Sequence, residues 1–198
     1  MRINKNQNYI FFQKRLVANC KVGDSSNSQK ASIYQLEYPI DKDYYEKCAR
    51  DDKNWDQSYY LEEISWDFNH YSDENEFYVM ENEDGDTLCV SVLNENMLDE
   101  NRLEYLETAP KLSSYNTGNR KIKYIGETML ACMVKLTKDL KSIFDIPEVA
   151  QRDKTKDFYF KLCGFHPDDL QGAYLRSEEF DDFIARNEEH TNSTIEIV

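Results

Sequence analysis

Lys121–Leu140 reads KIKYIGETMLACMVKLTKDL, and this stretch decides the fold. Met129, Met133, Leu136 and Leu140 recur at spacings of three and four, and Leu130, Val134 and Thr137 widen the same face. That period predicts a helix over 126–140, with a face broad enough to pack firmly on a sheet. Upstream, Arg102–Ala109 (RLEYLETA) reads as a strand stopped by Pro110, and Lys111–Asn119 is a Ser/Tyr/Asn/Gly loop. Downstream, Ser142–Ala150 (SIFDIPEVA) suits a short strand. A helix between two strands of one sheet is a crossover, so those strands must be parallel.

Working outward, Glu76–Met80 and Thr87–Leu93 are strands joined by a Glu83-Asp84-Gly85-Asp86 hairpin. Ser32–Tyr38 alternates as a strand, and Tyr9–Cys20 reads as a strand or a short helix. Two helices are expected between them, one after Asp41 and one over Trp55–Asn69. Lys154–Leu162 predicts a short helix ended by Gly164, Ala173–Arg176 a last strand, and Glu178–Arg186 a short acidic helix with a frayed tail. The fold class is α/β (α+β): a mixed, mostly antiparallel twisted sheet flanked by helices. We divide the chain into an N-terminal extension (1–30) packed on or beside the domain, the domain proper (31–176), and a C-terminal acidic helix and tail (177–198).

The chain has 198 residues and a net charge of −14, which disfavours a nonspecific phosphate-backbone binder or an anionic membrane as partner. The charge is segregated: residues 31–110 carry five basic and twenty-two acidic side chains, whereas 111–161 carry eleven basic and six acidic. The odd count of five cysteines (20, 48, 89, 132 and 163), with no C-x-x-C pair, points to buried free thiols in a reducing, cytoplasmic compartment. The three histidines form no metal-ligand pattern. No apolar run is long enough to span a membrane.

The chemistry concentrates where strand 102–109 leads to the start of the long helix. The first amides of a helix have no intrahelical partner and favour an anion, and Arg120, Lys121 and Lys123 add positive charge there. Gly126 either lets a ligand approach the backbone or simply turns the chain.

These residues resemble the GCN5-related N-acetyltransferase superfamily. Its fingerprint, Q/R-x-x-G-x-G/A, is matched here by Lys121-Ile122-Lys123-Tyr124-Ile125-Gly126, with Lys121 basic, Gly126 small, and Tyr124 where the first glycine stands. A second segment, Arg152-x-x-Thr155-x-x-Phe158-Tyr159-x-x-x-x-Gly164-Phe165, is similar to the family's late aromatic and Gly-Phe motif, with Arg152 and Thr155 for its Asn and Ala. The resemblance covers roughly 32–176 and implies acetyl transfer from acetyl-CoA to a primary amine through a ternary complex. It implies a cradle for acetyl-CoA at Lys121, Ile122, Lys123, Tyr124, Ile125, Gly126, Glu127 and Thr128. Bulky Tyr124 would narrow or reshape that cradle. It implies backbone contacts from Thr108 and Ala109 to the thioester and pantetheine, and Tyr159 as the acid at the departing thiolate.

For the base, Glu104 comes before Glu107; strand alternation sets them on opposite faces. Trp55, Tyr59, Tyr60 and Trp66 would shape the acceptor pocket. Acid-rich walls favour a cationic small-molecule or peptide amine. The protein is expected to be a monomer or homodimer, without nucleic acid or membrane contact. The competing readings are a binding module that has lost catalysis, and an acidic nucleic-acid mimic.

Overall fold

The computed structural model describes residues 14–36, 75–94, 100–109, 112, 122–147, 149 and 153–198. Nine strands form one sheet in the order β7-β8-β6-β5-β4-β3-β2-β1-β9. In chain order these are β1 (Arg15–Val22), β2 (Gln29–Leu36), β3 (Asn75–Asn82), β4 (Thr87–Asn94), β5 (Glu100–Thr108), β6 (Ile143–Ile146), β7 (His166–Pro167), β8 (Ala173–Arg176) and β9 (Glu196–Ile197). The helices are α1 (Ile125–Thr137), α2 (Asp153–Lys156), which runs into a π-helical turn at Asp157–Leu162, and α3 (Ser177–Thr191). The two helices expected within 41–69, the Lys111–Asn119 loop apart from Leu112, Arg120, Lys121 and Arg152 lie outside the described residues.

Strands β1 to β5 are antiparallel neighbours, β5 and β6 are parallel across α1, and β6, β8 and β7 are antiparallel again. The mixed, mostly antiparallel sheet read from the sequence is the observed one. The Tyr9–Cys20 pattern allows strand or helix; from Arg15 on it is strand β1, paired with β2, so part of the 1–30 segment is built into the sheet. The β1–β2 turn requires glycine: Gly23 sits at φ +92, where a Cβ would fall 1.9 Å from the Asn27 carbonyl oxygen.

Helix α1 is buried almost all round, because it lies between the sheet and α3. It ends at Thr137, earlier than the apolar stripe predicts. Asn101 Nδ2 and the Leu140 amide both donate to the Thr137 carbonyl, at 3.1 and 2.9 Å, and Leu140 is left exposed. Helix α3 runs further than the expected Glu178–Arg186, because Phe180, Phe183, Ile184, Asn187 and Thr191 all face inward at helical spacing.

The tail is not frayed. The Glu188 side chain accepts from Lys135 Nζ and the Ile195 amide, both at 2.9 Å, and Lys135 also donates to the Ile195 carbonyl at 2.8 Å. Ile195 is buried, β9 pairs with β1, and the Val198 amide donates to Val17. The four described cysteines are free and buried, and burial pushes the Cys20 thiol up to about 12.

Candidate active site

The parallel pair β5–β6 touches only at one end. Partners run from Glu100↔Ile143 to Arg102↔Asp145, and β6 stops at Ile146 while β5 continues to Thr108. The two strands thus splay apart below the start of α1. On the other side β5 is held to β4, and the Ala109 amide donates to the Leu88 carbonyl at 2.8 Å. In an antiparallel pair the amides alternate in direction, so those of Tyr105 and Glu107 also face β4, and those of Leu106 and Thr108 face the edge that is open among the described residues. This corrects one expectation. Ala109 spends its amide on Leu88, while Leu106, which sequence reasoning missed, joins Thr108 on the splayed edge. Counting alternate residues along the strand would have placed Leu106 there.

Helix α1 starts directly above this edge. Its first backbone bond runs from the Thr128 amide to the Tyr124 carbonyl at 2.8 Å, so the amides of Ile125, Gly126 and Glu127 precede the helical ladder. Tyr124 makes no side-chain cap bond. It adopts φ +61, ψ +12, the left-handed region where glycine is at ease and another residue loses about 1–2 kcal/mol. Tyr124 therefore holds a backbone shape that glycine adopts readily. The phenol ring is stacked on His190 of α3, with centroids 4.9 Å apart and planes at 18°.

The other residues expected to form the cradle offer backbone more than side chain. Ile125 and Thr128 are buried, and the Thr128 hydroxyl accepts from Asn187 Nδ2 at 3.2 Å. Ile122 is half-buried against the core. Lys123 is bound elsewhere: its Nζ is 2.6 Å from Asp24 Oδ2, and its carbonyl accepts from the Gly23 amide at 2.9 Å. The Lys123 ammonium and the Ser26 hydroxyl and amide hold the Asp24 carboxyl well below the usual range.

Gly126 serves packing. A Cβ there would lie 3.3 Å from Thr108 Oγ1 and 3.4 Å from the Phe158 ring, so the missing side chain lets β5, α1 and the π-turn converge.

Glu127 is the unexpected member. Its side chain is fully buried, and Oε1 lies 3.0 Å from His190 Nδ1. Burial raises its carboxyl, opposed by His190, Arg186 and Asn187. Oε2 and the neighbouring Asn187 Oδ1 both lack a hydrogen bond. His190 carried no signal in sequence, since its partners lie more than sixty residues away on another helix.

Tyr159 sits in the π-turn, where the Cys163 amide bonds to Phe158 and the Phe165 amide to Tyr159. Its ring packs edge-on against Phe158 and Phe165, and the residue is buried. Burial first, then the Cys163 and Cys89 thiols, hold its hydroxyl well above the ordinary phenol range. Cys89 is the β4 partner of Thr108 and hydrogen-bonds its side chain. The structure thus brings Thr108, Gly126 and the Phe158–Tyr159 pair to one place.

Glu104 and Glu107 are not on opposite faces. The β4–β5 register shifts between Val92↔Tyr105 and Leu93↔Leu103, so Glu104 is an extra, bulged residue. Arg102, Tyr105 and Glu107 stand opposite Asn94, Val92 and Val90, which share one face. Glu104 turns to the same side, its Oε1 3.3 Å from Arg102 Nε, and Glu107 accepts the Tyr105 hydroxyl at 2.7 Å. Thr108, Leu103 and α1 lie on the opposite face. The bulge therefore gathers both carboxylates on the side away from α1.

A separate open cleft of about 230 Å³ lies between Lys156, Phe160 and the Asp168–Gly172 turn, and none of the expected site residues lines it.

A parallel pair that parts below a helix start, with a buried tyrosine beside it, characterises this mixed α/β fold. Solved structures carry the same architecture. A protein from Exiguobacterium sp. 255-15 with a provisional acetyltransferase assignment matches with a TM-score of 0.55 at 15% identity, over 77% of this chain and 97% of its own. A mutant spermidine N-acetyltransferase, SpeG, from Vibrio cholerae matches with a TM-score of 0.51 at 14% identity, over 76% and 95%. A chimera of the Vibrio cholerae enzyme with hSSAT matches with a TM-score of 0.52 at 11% identity, over 77% and 98%. At these identities the likeness is one of fold. No family model matches the chain, and a search of curated proteins finds no match.

Proposed function

We propose that the protein is an acetyl-CoA dependent N-acetyltransferase whose acceptor is a cationic primary amine. The observation that carries the reading is the end of β5–β6 pairing directly beneath the first turn of α1, which the Tyr124 side chain does not cap. Acetyl-CoA is a substrate here, and the residues suit its parts. The Ile125, Gly126 and Glu127 amides suit a diphosphate, since they are donors at the positive end of a helix. The Thr108 and Leu106 amides on the open edge suit the amide groups of the pantetheine arm and the thioester carbonyl. A donor aimed at a carbonyl oxygen that gains negative charge lowers the barrier to attack.

The amine attacks the thioester carbon, a tetrahedral oxyanion forms, and the C–S bond breaks. Tyr159 is the proposed proton donor to the departing thiolate; a buried phenol remains protonated until a strong base forms beside it. The ammonium formed on the acceptor loses its proton on the carboxylate face of β5, to Glu104 or Glu107, directly or through water. Those acids, and the acidic balance of residues 31–110, favour a cationic acceptor. The likeness in fold to spermidine N-acetyltransferases makes spermidine the first amine to try.

The test is a thermal-shift titration with acetyl-CoA, followed by thiol release in the presence of a panel of amines. Ligand at 100 times its Kd stabilises the protein by about 2.7 kcal/mol, a shift easily read. Absence of any shift up to millimolar acetyl-CoA overturns the reading. A shift without turnover across the panel leaves a binding module.

A further inference from the structure

Glu127 stands three positions after the helix cap, where a carboxylate ordinarily turns back to the amides at the helix start. Here it does the opposite: it is fully buried, points at α3, and meets His190. The same imidazole stacks on Tyr124, the residue whose left-handed backbone opens the turn. One side chain of α3 thus holds both flanks of the first turn of α1. We propose that His190 is a positioning residue that draws the Glu127 carboxylate away from the α1 amides, so that the phosphate oxygens of a nucleotide-like ligand meet those amides in place of the protein's own acid.

The proposal rests on the reading of that turn as a diphosphate site. It goes beyond it in assigning the C-terminal helix, outside the segment that resembles acetyltransferases, a part in substrate affinity. Two physical facts support it. A carboxylate and a phosphate compete for the same donors, so a site for one must remove the other. The carboxylate is removed by a directed contact and not by solvent, since no part of the Glu127 side chain reaches water. Among the described residues, Arg186 is the other charged group that acts on Glu127, through space; it donates its own hydrogen bond to the Cys163 carbonyl. The His190 side chain remains 30% exposed, so it can be altered without opening the core.

The experiment measures the Kd of CoA, and separately of inorganic pyrophosphate, by calorimetry on four proteins. His190→Phe keeps a ring against Tyr124 and removes the hydrogen bond to Glu127; both ligands should bind about tenfold more weakly, the effect of one competing charge at a helix start. Adding Glu127→Gln to His190→Phe removes that charge and should return both affinities to within about threefold of the starting protein. His190→Gln, whose amide still donates to Glu127, should bind as the starting protein does. A merely structural role for His190 predicts no rescue by Glu127→Gln. Unchanged binding in His190→Phe, failure of that rescue, or a His190→Gln protein as weak as His190→Phe overturns the proposal. Should the starting protein bind pyrophosphate and not CoA, the acetyl-CoA reading falls and this inference is judged on pyrophosphate alone. Binding of neither ligand overturns both.

Discussion

At the scale of single residues, Tyr159 carries the sharpest expectation. Its ring is held by Phe158 and Phe165, so Tyr159→Phe keeps the packing and deletes only the hydroxyl. Stability should change by about 1 kcal/mol or less, the net worth of one hydrogen bond. Turnover should fall by roughly 10²-fold if the phenol protonates the thiolate, within the usual span for a general acid. The pH dependence has a definite sign. Burial raises the hydroxyl above its ordinary value, so the protonated, donating form persists through neutral and mildly alkaline pH and is lost only far above. The alkaline limb of the rate profile should therefore have the same midpoint in the variant and the parent. Unchanged turnover at saturating amine would remove Tyr159 from the mechanism. Tyr124 makes the complementary point: it holds a left-handed backbone that glycine adopts readily, and its ring rests on His190.

At the scale of elements, the splay between β5 and β6 is the feature that matters, and its amides can be read individually. Glu107 and Ala109 direct their amides to β4, whereas Leu106 and Thr108 direct theirs to the open edge. Hydrogen exchange followed residue by residue should find Leu106 and Thr108 fast in the free protein and slowed at least tenfold by acetyl-CoA, because exchange reports the hydrogen bond each amide makes. Glu107 and Ala109 should be slow in both states. Equal protection of all four in the free protein would mean that the edge is already filled. Much of this region was legible beforehand. The period of α1, the strand before it and the Phe158–Tyr159 turn each carry local patterns, and the parallel crossover follows from their order. What escaped were features with no local mark. The bulge at Glu104 is one added residue in an alternating strand, and it reverses the facing of every side chain beyond it. The end of α1 is set by Asn101, a residue of another strand. The length of α3 and the ordering of the tail depend on Lys135 and on the edge of β1. His190 acts across the packing of two helices.

At the scale of the whole molecule, the charge pattern is less open than its arithmetic suggests. The basic surplus of residues 111–161 invites a picture of lysines attracting a phosphorylated substrate. Several of those lysines are already paired: Lys123 with Asp24, Lys135 with Glu188, Lys138 with Asp181 and Lys161 with Asp157. What remains for an anion at the described part of the cradle is the row of α1 amides, whose field acts at contact distance and fades within a turn. Around it is a body of net charge −14, which repels an anionic ligand over longer range. Salt screens the repulsion beyond a Debye length of about 10 Å and leaves the short amide contacts largely untouched. These two effects oppose the ordinary loss of affinity that added salt brings to a lysine-lined phosphate site. The Kd for acetyl-CoA should therefore change by less than about threefold between low salt and several hundred millimolar sodium chloride, since little of the attraction is long-range. A rise of tenfold or more would assign the attraction to unpaired cations, for which Arg120 and Lys121, next to the helix start in the chain, are the first to substitute. Loss of that salt dependence in an Arg120→Gln, Lys121→Gln protein would then transfer the cradle's work from backbone to side chains.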